Sequence, residues 1–154
     1  MFILALAVQP AVAWEKEPQG SYGGRRAALL TELKDGITVV FGSEEPAGGE
    51  ALHGFRQNEQ FYYLTGHNEP GAILLLAPRP AEAAAAQFPT ADFPRQILFL
   101  PPRNRFRERW TGPRLAPEDP DVRGRTGFET VMATEAFAGE LARLLPAYGV
   151  LYTI

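Results

Sequence analysis

Apolar and polar residues alternate along this chain in blocks whose periods change several times, and each change marks an element. From Tyr22 to Lys34 the large side chains Tyr22, Arg26, Leu29, Leu30 and Leu33 recur at helical spacing, so this segment is predicted to be a helix ended by Gly36. Ile37 to Gly42 (ITVVFG) and Ala72 to Ala77 are short, almost wholly aliphatic runs, as expected for strands covered on both faces. Gln96 to Leu100 repeats that pattern and is stopped by Pro101 and Pro102; Phe128 to Met132 is predicted as a fourth strand. Thr134 is placed to cap a helix whose buried stripe is Phe137, Leu141, Leu144 and Leu145, ended by Pro146 and Gly149, and a last strand is predicted from Val150 to Ile154. Loops fill the gaps: residues 43 to 54 with Pro46, Gly48 and Gly49, an alanine-rich insertion from Pro78 to Pro94, an arginine-rich loop carrying Trp110, and a turn from Pro117 to Asp121. Helices alternating with continuous aliphatic strands imply an α/β layered domain with a largely buried mixed sheet.

Two stretches depart from simple core patterning. In Phe55 to Pro70 (FRQNEQFYYLTGHNEP), Asn58 can cap a short helix, Glu59 suits its positive end and Gly66 can take the left-handed terminal conformation. Phe61, Tyr62 and Leu64 offer apolar surface there, while Arg56, Gln57 and Asn58 bring donors that need partners if buried. In Glu108 to Leu115 (ERWTGPRL), Gly112 and Pro113 break regular structure and Arg114 supplies a planar donor fork suited to a carboxylate. Trp110 stands on that turn in the manner of a contact residue.

Composition narrows the function classes. With 154 residues and 45% hydrophobic content, the chain supports one domain with a real core. A net charge of -3 argues against nucleic-acid binding, and the comb of Arg103, Arg105, Arg107 and Arg109 reads as a solvated, partly self-paired loop. No cysteine is present, which removes disulfide and thiolate chemistry. Phe2 to Val8 followed by Ala11, Val12 and Ala13 reads as the remnant of a secretory signal peptide, residues 1 to 13, cleaved after Ala13 and too short to span a bilayer; it lacks a basic first segment, so export stays open against a cytoplasmic location. His53 and His67, with Glu50, Glu59 and Glu69 nearby in sequence, lack any H-x-x-x-H spacing and read as loop histidines rather than metal ligands. Gly23 and Gly24 lack the spacing of a nucleotide-binding loop.

The two unusual stretches together resemble the N-terminal domain of aminopeptidase P, the Xaa-Pro aminopeptidases of the creatinase and prolidase-like superfamily. The resemblance falls on Phe55, Arg56, Gln57, Asn58, Phe61, Tyr63, Thr65, Gly66, Asn68, Glu69 and Pro70, then on Glu108, Trp110, Gly112, Arg114 and Leu115, in order and spacing, and extends from Tyr22 to the end. It implies a creatinase-like, ribonuclease H-like arrangement over residues 14 to 154, a mixed sheet flanked by helices, lacking its last helix and strand. It also implies that catalysis belongs to a separate C-terminal domain holding two divalent metals, manganese by family habit, on two Asp, one His and two Glu. None of those ligand segments is in this sequence, so the expectation is no catalytic residue, no metal and no cofactor in this chain.

The function implied is that of a non-catalytic domain in an enzyme releasing the N-terminal residue that precedes proline. The domain would shape substrate access and build homo-oligomer contacts, with Trp110 facing substrate and Arg56, Asn68 and Arg114 bracing the loops around it. His67 stands where the family often has an aromatic or aliphatic residue, which leaves fine substrate preference open. The alternative is a stand-alone peptide- or protein-binding module of the same fold. A small autonomous hydrolase would need a nucleophile and base that two loop histidines and no cysteine do not supply.

Overall fold

The protein is described from a computed structural model, covering residues 16–45, 55–81, 93 and 95–154. The leader, His53 and most of the alanine-rich insertion lie outside the described residues. In chain order the elements are α1 (Gln19–Glu32), β1 (Gly36–Phe41), α2 (Glu59–Thr65), β2 (Ile73–Ala77), β3 (Arg95–Leu100), α3 (Arg105–Thr111), α4 (Val122–Thr126), β4 (Thr130–Ala133), α5 (Phe137–Leu144) and β5 (Val150–Thr153). Single 3-10 turns, Thr134–Ala136 and Leu145–Ala147, flank α5.

The strands form one sheet in the order β4-β3-β2-β1-β5. β2 runs antiparallel to both neighbours, with Leu74 opposite Val40 and Leu75 opposite Ile97. The outer pairs, β1 with β5 and β3 with β4, are parallel. Successive side chains of a strand point to opposite faces, so the continuous aliphatic runs feed two cores at once. Val40, Leu74, Leu76, Leu98 and Leu100 pack under α1 and α2 with Leu30, Phe61, Leu64 and Phe128. Ile37, Val39, Leu75, Ile97 and Phe99 pack under α5 with Phe137, Leu141 and Leu144. This is the mixed sheet flanked by helices expected from the sequence, and its central strands β2 and β3 are almost entirely buried. β5 forms one edge and is exposed along its whole length. Among the described residues, no helix is long and apolar enough to cross a membrane.

Several local expectations need correction. The arginine-rich segment is not a loop: Arg105–Thr111 is a helix whose first turn is capped by Asn104, which accepts the Arg107 amide at 3.1 Å. The five-residue α4 is too short to carry a helical period and was not expected. α1 starts earlier, at Gln19, and ends at Glu32; Lys34 makes the turn with a positive φ of 36°, and Gly36 already belongs to β1. Thr134 does not cap α5 with its side chain; it opens a 3-10 turn, and the helix proper begins at Phe137.

Candidate functional site

The first dense stretch folds inward. Asn58 caps α2 by accepting the Phe61 amide at 2.9 Å, and Gly66 ends it in the left-handed conformation, φ 62°. A β-carbon at Gly66 would lie 2.5 Å from the Tyr22 ring, so close packing as well as conformation requires glycine there. Buried Gln57 is the hub of the loop. Its Oε1 accepts the amides of Ser43 (2.6 Å) and Asn58 (2.9 Å), and its Nε2 donates to the carbonyl of Glu69 at 2.9 Å. A second hub comes from α1: Arg26 is only 2% exposed and donates to the Leu64 carbonyl (2.8 Å), the Gly127 carbonyl (3.1 Å) and Gln96 Oε1 (2.7 Å). Its guanidinium also lies 3.8 Å from the centre of the Phe128 ring. Burial without a carboxylate partner lowers its pKa to about 10, which leaves it protonated at neutral pH.

The second stretch folds outward. No residue of α3 is buried; Phe106 is 70% and Trp110 82% exposed. What fixes this helix is a charge network at its base. Arg114 grips Glu45 with both terminal nitrogens (2.9 and 3.2 Å), and Arg107 reaches the same carboxylate at 2.5 Å. Hydrogen bonding from Arg114, reinforced by Arg107, holds the Glu45 carboxyl below its usual pKa. Arg103 pairs with Asp119 (2.5 Å) and Glu108 (3.5 Å), and Glu108 accepts the Arg114 amide at 3.3 Å. The two stretches meet where Glu69 Oε2 accepts the Leu115 amide at 2.9 Å.

The residues singled out from sequence are therefore distributed unevenly. Trp110 and Arg114 are brought onto one rigid unit, Trp110 projecting and Arg114 bound beneath. Arg56 lies on the surface beside Glu59, 2.5 Å away, and Asn68 is exposed at the rim of a polar pocket. The bonds that tie the loop together come from Gln57, Arg26 and Glu69 instead. Sequence reasoning missed Arg26 and Glu45 as structural hubs. Arg26 left a signal, since it shares the helical face of Leu30 and Tyr22, and a charged residue on a buried face needs partners. Glu45 left none, because its partners lie 62 and 69 residues away.

The aminopeptidase P, N-terminal domain family matches residues 22–152, well over half of the chain. The chain belongs to this family. Among similar proteins, an Xaa-Pro aminopeptidase of Haemophilus influenzae is 29% identical over 141 residues, covering 90% of this chain and 30% of the relative. Human Xaa-Pro aminopeptidase 3 is 42% identical over 130 residues, covering 84% of this chain and 22% of the relative. The structure of Escherichia coli aminopeptidase P with the inhibitor Pro-Leu superposes with a TM-score of 0.70 at 25% identity, over 90% of this chain and 29% of that one. The chain thus spans less than a third of the length of these aminopeptidase P relatives. No group of three or more His, Cys, Asp or Glu that could hold a metal ion occurs among the described residues.

Proposed function

We propose that the chain is the non-catalytic N-terminal domain of an Xaa-Pro aminopeptidase, releasing the residue ahead of proline with a dinuclear, manganese-type metal site on a further C-terminal domain. Within that enzyme it narrows substrate access and supplies homo-oligomer contacts through the face that carries Trp110. One observation carries this assignment of the face. Trp110 is 82% exposed, yet the helix beneath it is pinned by Arg107, Arg114 and Glu45, so a large aromatic is presented on a stiff support rather than used for packing.

The test compares the 154-residue chain with a protein that also carries a C-terminal metallopeptidase domain encoded with it, using an Xaa-Pro peptide and added manganese. The expected outcome is turnover by the longer protein alone. Within it, Trp110→Ala should lower kcat/KM on longer peptides while leaving the melting temperature nearly unchanged. Manganese-dependent cleavage by the short chain would overturn the non-catalytic assignment. If no such domain is encoded and the short chain captures peptides unaided, the same fold acts as a stand-alone binding module.

A further inference from the structure

Beside α2, and apart from the Trp110 face, the structure holds a second feature with chemistry of its own. A cavity of about 310 Å³ is lined by Lys16, Thr65, His67, Asn68, Glu69 and Arg125, among others. That is at the small end of the range for small-molecule pockets, roughly 300–1,000 Å³. His67 lines it while only 7% exposed, and its Nε2 has no hydrogen-bond partner among the described residues and almost no accessible surface of its own.

We propose that this pocket binds a small zwitterion of the α-amino-acid class, its carboxylate set against Lys16 and Arg125 and its ammonium against Glu69, beside the His67 ring. Two features favour a zwitterion over a plain anion or cation. Lys16 and Arg125 are exposed cations on the rim, and the nearest carboxylate paired with Arg125, Asp121 Oδ2, is 4.0 Å away. Glu69, by contrast, is a half-buried carboxylate that spends one oxygen on the Leu115 amide and keeps acceptor capacity to spare. A bare anion would meet Glu69, and a bare cation would meet the two rim cations; a molecule carrying both charges meets neither conflict.

The state of the two titratable groups agrees. Burial, with the charge of Lys16 as a smaller influence, pushes His67 down to about 4, so at neutral pH it is an uncharged ring that does not repel an ammonium held by Glu69. Burial raises the Glu69 carboxyl above its usual pKa, and a bound ammonium would offset that cost. The inference does not rest on the peptidase reading, because it uses no residue of the Trp110 face.

The test is calorimetric titration of the 154-residue protein with glycine and with L-proline, alongside sodium acetate and methylammonium chloride. The ¹⁵N imidazole resonances are followed in parallel; with only two histidines, His53 and His67, assignment is direct. Saturable binding of either amino acid, a shift confined to the His67 ring, and affinity weakened about tenfold or more in Lys16→Met and in Glu69→Gln are expected. Because Lys16 is exposed, Lys16→Met keeps the test valid even if Glu69→Gln misfolds. Absence of saturation by both amino acids, acetate binding as tightly as glycine, or unchanged affinity in Lys16→Met would each overturn the proposal.

Discussion

Phe55 to Pro70 and Arg103 to Leu115 are built from similar residues, aromatics interleaved with arginine, asparagine and glutamate, and the fold uses them in opposite ways. In the first, Gln57, Phe61, Leu64, Thr65 and His67 are buried, and the side chains of Gln57, Asn58, Thr65 and Glu69 are spent on backbone partners. In the second, the charged groups pair with one another at the surface and the aromatics are left outside. Both stretches carry a helix of seven residues with an asparagine cap, so local propensity does not separate them. The separation comes from where the apolar face points: Phe61, Leu64 and Thr65 share a face that docks on the sheet, whereas Phe106 and Trp110, one helical turn apart on α3, share a face turned to solvent. Similar composition can therefore anchor or display, depending on whether its apolar face meets the sheet or the solvent.

This contrast can be broken or sharpened by substitution. The largest effect is expected at the floor on which the inward stretch rests: Leu74→Asp places an unpaired charge among Val40, Phe61 and Leu98 and should abolish cooperative unfolding, a loss above roughly 4 kcal/mol. Circular dichroism in urea reads this directly. Arg26→Met should cost about 3 kcal/mol, because the carbonyls of Leu64 and Gly127 lose their donor at ~1–3 kcal/mol each, and Arg26→Lys should rescue little since one ammonium cannot reach three acceptors.

Acid provides the third probe. His67 has a folded pKa of about 4 against 6.5 ordinarily, so above pH 6.5 it is neutral in both states and gives no pH slope. As the pH falls from 6.5 to about 4 the unfolded chain takes a proton that the folded chain refuses, and stability drops by roughly 3 kcal/mol at most, at about 1.4 kcal/mol per unit. His67→Phe should flatten the stability profile over that window relative to the native chain, measured by urea midpoints at several pH values.

In the outward stretch the effects should be smaller. Arg114→Lys replaces a two-pronged grip on Glu45 with a single contact and should cost ~0.5–1 kcal/mol, with the loss shrinking in high salt. Trp110→Ala should change thermal stability by no more than about 0.5 kcal/mol. A large loss of melting temperature there would mean the ring packs against something in the folded domain and would erase the contrast.

Much of the architecture could be read from the sequence because it depends on local pattern. The aliphatic runs Ile37 to Gly42, Ala72 to Ala77 and Gln96 to Leu100 do hold strands β1, β2 and β3, most of whose residues are buried on both faces, and the stripe Phe137, Leu141, Leu144 does cover one side of the sheet. Asn58 and Gly66 behave as their chemistry requires, and the Arg114 fork does find a carboxylate. What stayed hidden depends on distance along the chain or on short length. Glu45 joins α3 from more than sixty residues away, as its separations of 62 and 69 show, and no local pattern reports it. In α3 the cue was present, Asn104 ahead of the helix and Gly112 after it, but flanking prolines and repeated arginines pointed to a loop. The buried unpaired nitrogen of His67 is likewise a product of packing, since its neighbours in the pocket include Lys16 and Arg125 from opposite ends of the chain.

The order of strands gives α5 an unusual position. β4 and β5, consecutive along the chain, lie at opposite borders of the sheet, and the segment between them passes over Ile37, Val39, Leu75, Ile97 and Phe99 by way of α5. That helix works as a clasp drawn over the back of a three-strand ribbon. Tension applied at Ile154 would peel β5 away first and then meet the anchored Leu144, fully enclosed at 0% exposure, so mechanical failure should come in two steps rather than one.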